Sequence, residues 1–101
     1  MLQIPLEPNP SQVVKAILAD QQVQLFLYQK PEGLFIDINL NGTDISTGIL
    51  CLNAVMLAVN YSGFLGNLFF IDTQGSNDPT YDGIGTRYFL VYLTSEEYGL
   101  I

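Results

Sequence analysis

The stretch Leu34-Phe35-Ile36-Asp37-Ile38-Asn39-Leu40-Asn41-Gly42-Thr43 decides the fold class. Leu34, Ile36, Ile38 and Leu40 fall on one side of a two-residue period, with Phe35, Asp37 and Asn39 on the other. Successive side chains of a strand point to opposite faces, so this alternation reads as a strand with one buried face. Asn41-Gly42 follows directly and supplies the two positive φ values that a type I′ hairpin turn requires. Residues 43–47 therefore return beside the first strand, and Gly48 breaks or bulges the return.

The same reading extends in both directions. Upstream, Pro31-Glu32-Gly33 is a turn, with proline presetting one φ and glycine supplying the unusual one. Before it, Val23, Leu25 and Leu27 alternate with Gln22, Gln24 and Phe26. Residues 22–28 thus pair with residues 12–18 in a hairpin around Ala19-Asp20-Gln21. Residues 1–11 hold Pro5, Pro8 and Pro10, and proline cannot donate a ladder hydrogen bond, so this part is an extended lead-in or an edge strand. Downstream, residues 49–61 are apolar almost all round and admit a helix of about three turns or two buried strands. Asn53 and Asn60 interrupt the run and favour two strands with a turn near Asn53-Ala54. Residues 64–72 form a further strand with Gly66 inside it, and residues 86–94 form the last, with Tyr88, Leu90 and Tyr92 alternating against Phe89, Val91 and Leu93. Between them, residues 73–85 are rich in turn formers and make one long loop, a length that in compact domains tends to be functional. The fold class is all-β: a small single-domain barrel or sandwich of about seven to eight mainly antiparallel strands. Residues 1–11 form an extended N-terminal arm and residues 12–101 the β-domain.

Composition narrows the function. Apolar residues make up 49% of the 101 positions and charged residues only 13%, against about a quarter charged in typical domains. A fold this small has much surface for its volume, so part of the apolar surplus is expected to face a partner. The formal charge is −7, with Lys15, Lys30 and Arg87 the only cations. Three scattered cations make no positive footprint for phosphate, which argues against direct nucleic-acid binding. Cys51 is the sole cysteine; it cannot form an internal disulfide and reads as a small buried hydrophobe. The N-terminus shows neither a basic region nor a long apolar one, and the longest apolar runs fall short of about 20 residues, so neither a signal peptide nor a membrane span is expected. Synthesis in the cytoplasm follows from that reading.

Residue chemistry points away from catalysis. There is no histidine, which removes the commonest general base and the usual activator of serine and cysteine nucleophiles. Zinc would have one cysteine and no imidazole. Asp37 has no identifiable partner on its strand, and Glu96-Glu97 lie in the C-terminal tail. Asp72, Asp78 and Asp82 surround the long loop, but their spacing departs from the EF-hand pattern, and side-chain turns in a solvated loop explain them better. Gly83-Ile84-Gly85 lacks the lysine and the following helix that a phosphate loop needs. No catalytic residue, cofactor or metal site is expected. The candidate interface residues are Leu2, Ile4, Pro5, Leu6, Pro8 and Pro10 in the arm, with Tyr81 and Tyr98, the aromatics that lie outside the strand runs.

Several spaced features occur together in order. Ile4-Pro5-Leu6 precedes Pro10 and Gln12; Leu25-Phe26-Leu27-Tyr28 is followed by a turn and Leu34-Phe35-Ile36-Asp37-Ile38. Gly48 leads into the apolar segment, Gly66-Asn67-Leu68 sits in a later strand, and Ile84-Gly85-Thr86-Arg87 runs into Leu90-Val91-Tyr92-Leu93. Across nearly its whole length the chain resembles the small phage baseplate plug proteins, including those of cyanophages with simple contractile tails. It departs from them at Phe35, where a tryptophan is expected, near Asn53-Ala54, where a glycine is expected, and in the glycine-free hairpin at Ala19-Asp20-Gln21. The resemblance implies a structural protein of the virion's tail baseplate. It would dock on the central hub and plug or line the tail lumen. Its partners would be hub, tail tube or spike proteins, together with further copies of itself in a homo-oligomer. The alternative is a free-standing carbohydrate- or peptide-binding module that uses residues 73–85 and Tyr81.

Overall fold

Three consecutive hairpins build the first half of the chain. The computed structural model describes residues 2–55, 57 and 66–94. Strands β2 (Ser11–Leu18), β3 (Gln21–Lys30), β4 (Gly33–Leu40) and β5 (Thr43–Leu50) form one antiparallel sheet in the order β2-β3-β4-β5. Each neighbour in space is a neighbour in sequence, so every turn has to reverse the chain tightly. Two of the turns have the type I′ signature of two left-handed central residues: Ala19 (φ 51°) and Asp20 (φ 62°), then Asn41 (φ 52°) and Gly42 (φ 90°). Gln21, expected in the first turn, belongs instead to β3, where it is buried and its amide donates to the Leu18 carbonyl at 3.0 Å.

Gly48 bulges β5 without ending it. The register slips between Ile36 and Ile38 and again between Ile38 and Asn39, and Gly48 adopts φ 65°. The Asp37 carboxylate holds this bulge by accepting the Gly48 N–H at 2.7 Å. Strand β5 then continues to Leu50, paired with Phe35. This corrects the reading of residues 49–61 as two separate strands. Ile49 and Leu50 finish an existing strand, and residues 51–55 are irregular apart from one bridge of Asn53 to Phe70. The expected turn near Asn53-Ala54 is present, with Ala54 at φ 59°. Met56 and residues 58–61 lie outside the described residues.

The second sheet is assembled from distant parts of the chain. Strands β1 (Leu2–Ile4), β6 (Asn67–Asp72) and β7 (Tyr88–Leu93) pair antiparallel in the order β1-β7-β6. Of the two readings of the N-terminal segment, the edge strand holds for Leu2, Gln3 and Ile4, which pair with Tyr92, Val91 and Leu90 of the same chain. Along the other edge of β6, the Ala54 and Leu57 N–H groups donate to the Phe70 and Leu68 carbonyls, both at 2.8 Å.

The two sheets face each other across one core and do not close into a barrel, which resolves the expected alternatives in favour of a sandwich. Leu18, Val23, Leu25, Leu27, Leu34, Ile36, Ile38 and Leu40 line the first sheet's inner face; Ile4, Leu68, Phe70, Leu90 and Tyr92 line the second's. Cys51 lies in the same core, where burial pushes its thiol up to about 12 and leaves it protonated.

Candidate functional site

The period of two that buries Leu25 and Ile36 sends their neighbours outward. In the register of β2, β3 and β4, Val13 stands beside Phe26 and Phe26 beside Asp37, while Lys15 stands beside Gln24 and Gln24 beside Asn39. An outward face usually carries polar residues, yet this one mixes them with exposed large apolar side chains. Val13 is 55% exposed, Ile17 71% and Phe26 39%, and Leu50 at the far edge is also exposed. These are four of the six large hydrophobic side chains exposed among the described residues. Scattered apolar groups on a surface need no explanation, but a contiguous group on one sheet face marks an interaction surface.

Aromatic rings bind this face into a unit. Phe26 and Tyr28 lie with centroids 5.1 Å apart, and Tyr28 stacks on Phe35 at 5.9 Å. Lys30 Nζ sits 5.4 Å from the Tyr28 centroid and 5.3 Å from that of Phe35, within cation–π range. The Tyr28 hydroxyl donates to Asp37 Oδ1 at 3.0 Å. Burial first, and then this hydrogen bond, raises the Tyr28 phenol above its ordinary value, so it stays a donor. Asp37 therefore has two partners, Tyr28 and Gly48, where the sequence suggested none. At the edge of the face, Asn39 Nδ2 donates to Asp44 Oδ1 at 3.0 Å. Two depressions mark the surface, one bounded by Lys15, Ile17, Gln22 and Asn39, the other by Val13, Phe26, Asp37 and Asp44.

A second surface follows the N-terminal edge. Leu2 is 51% exposed on β1, and Pro5, Pro8 and Pro10 are exposed beyond it. Leu6 is half-buried against the core. Ile4, also a predicted interface residue, is 2% exposed and belongs to the core. Beside this edge runs a cleft lined by Pro5, Leu6, Ile84 and Phe89.

The long loop is mostly exposed and is tied down by its aspartates. The fully buried Asp72 carboxylate accepts Arg87 Nε and Nη2, each at 2.8 Å, together with the Gln74 and Asn77 N–H groups at 2.9 and 2.8 Å. The Arg87 pair, then the two backbone donors, hold that carboxyl well below the usual carboxylate range against the opposing effect of burial. Asp78 accepts the Asn53 N–H at 3.0 Å, and Asp82 accepts the Thr80 hydroxyl at 2.6 Å. The three aspartates thus have separate partners: Asp72 holds Arg87 and the start of the loop, Asp78 ties the loop to Asn53, and Asp82 bonds Thr80 within it. Tyr81 opens a 3-10 turn (Tyr81–Gly83), is half-buried against the core, and donates its N–H to Gln29 Oε1 at 3.0 Å. Tyr98 lies outside the described residues.

The structure therefore brings together Leu2, Pro5 and Leu6 at one edge and withdraws Ile4 and Tyr81 into the packing. The outward face of the first sheet was missed. Its signal was present in the strand alternation, because Phe26 and Phe35 occupy the otherwise polar parity of their strands.

The model of the family described as cyanophage baseplate Pam3 plug gp18 matches residues 1–96. The chain belongs to that family. No curated protein sequence matches it. Membership in the plug family assigns a structural role in the tail baseplate, in association with other baseplate proteins. Two departures from the plug pattern also gain a structural meaning. Ala19, Asp20 and Ala54 all hold the left-handed backbone that glycine adopts without penalty.

Proposed function

We propose that this chain docks on the central hub of the baseplate and plugs or lines the tail lumen, held entirely by protein–protein contacts. The observation that carries this reading is the outward face of the β2–β5 sheet, where Val13, Ile17, Phe26 and Leu50 are exposed and no described element covers them. Assembly would remove this apolar surface from water, at about 25 cal/mol for each Å² buried. The N-terminal edge supplies a second contact. Strand β1 has a sheet neighbour on one side only among the described residues, so its other side is open to an added strand from the hub. Leu2, Pro5, Pro8 and Pro10 would flank that contact. The formal charge of −7 suits a lumen through which DNA passes, because an acidic wall repels phosphate.

The test is cross-linking mass spectrometry on baseplates isolated from intact tails. The chain should be present and cross-linked to a hub, tube or spike protein. Its absence from purified baseplates would overturn the proposal.

A further inference from the structure

The outward face of the β2–β5 sheet differs from the rest of the molecule in charge as well as in apolarity. Lys15 and Lys30 project from it, and so do Asp37 and Asp44. Two cations and two anions balance, so the whole formal charge of −7 resides off this face. Arg87, the third cation, is committed to Asp72. Among the described residues neither lysine is in a salt bridge, and Lys30 instead lies over two rings. For an acidic chain, a neutral apolar face is where a second copy can approach with least repulsion at the contact. A two-fold contact must also be self-complementary, since each residue of one copy meets a different residue of the other. Equal numbers of lysines and aspartates leave this face without net formal charge, so two copies can meet there without like-charge repulsion at the contact.

The dimensions are sufficient. Four strands about 4.8 Å apart and eight residues of about 3.3 Å each give roughly 500 Å² per copy. Two such faces bury about 1,000 Å², the lower bound of a specific interface. Stacking of two sheets about 10 Å apart is an ordinary way for apolar sheet faces to meet.

We infer that two copies of this chain associate face to face through the outward surface of the β2–β5 sheet, with Val13, Ile17, Phe26 and Phe35 in the contact. The inference rests on the baseplate reading: it assigns this face to a second copy and leaves the N-terminal edge at β1 for the hub.

Sedimentation velocity of the purified full chain, over a wide concentration range at low and high salt, tests it. Two like-charged bodies meeting through a neutral contact associate more tightly as salt screens them. The dissociation constant should fall by about tenfold as the Debye length shortens from about 30 Å to about 8 Å. Ile17→Gln and Phe26→Gln in one chain should weaken association by about thirtyfold or more, the loss expected when two apolar anchors of a contact become polar. Val55→Gln removes an exposed apolar group elsewhere and should leave it unchanged. Thermal melting confirms that both variants are folded. A chain monomeric at every concentration, association weakened by salt, or association indifferent to the Ile17 and Phe26 changes would each overturn the inference. A monomeric chain that still enters baseplates would refute this contact and leave the plug reading intact. A self-associating chain absent from baseplates would do the reverse.

Discussion

The two sheets of this sandwich are built on opposite principles. In the β2–β5 sheet every strand pairs with its neighbour in sequence, and two-residue turns set each register. In the β1-β7-β6 sheet the first strand pairs with the last described one, and fifteen residues separate Asp72 from Tyr88 across the β6–β7 pairing. Such non-local pairing has to overcome loop-closure entropy. The chain meets that cost with fixed contacts, the Arg87–Asp72 fork and the fully buried Phe70. The outward faces differ in the same sense. Strand β7 is buried nearly throughout, whereas β2 and β3 leave aliphatic and aromatic groups in solvent. One sheet thus completes the fold within the chain, and the other leaves an apolar face open to a partner.

This contrast can be broken first at the non-local sheet. Phe70→Ala should destabilise the chain by about 3–5 kcal/mol, because a buried ring leaves a cavity the surroundings fill only in part; urea denaturation reads the loss. Arg87→Met should come next, leaving Asp72 buried without its counter-charge. Because the Asp72 carboxyl is lowered in the fold, its contribution is present above the ordinary carboxylate range and disappears as pH falls toward the depressed value. The stability gap between wild type and Arg87→Met should therefore narrow as pH drops below about 4, seen in urea midpoints across a pH series. In the local sheet, Ala19→Gly should stabilise by about 0.5–1 kcal/mol, since glycine removes the left-handed penalty of an L-residue at a cost in chain entropy; a rise in melting temperature checks this. Smallest of all, Ile17→Gln should shift stability by no more than about 0.5 kcal/mol, despite removing the most exposed of the large apolar side chains.

The same contrast explains what could be read without coordinates. Strands β2 to β5 were legible because alternation and turn chemistry are local: Asn41-Gly42 and Leu34 to Leu40 specify each other within ten residues. Residues 49–55 were misread because apolar content alone cannot separate a strand end from core-filling coil, and it was pairing with β6 that decided their course. Ile4 looked like part of a free arm since nothing nearby reveals a partner as distant as Leu90. Tyr81 was legible only as an aromatic outside the strand runs, because the bond that holds its backbone comes from Gln29, more than fifty positions away. The outward face was hidden differently. Phe26 and Phe35 were legible as strand residues, but only the register across three strands places them together with Val13.

The division of labour between the sheets is tested most directly by adding the chain carrying both Ile17→Gln and Phe26→Gln to tails that lack the wild-type chain. The account predicts a variant that melts like wild type and is absent from purified baseplates. A folded variant incorporated at the wild-type level would contradict it.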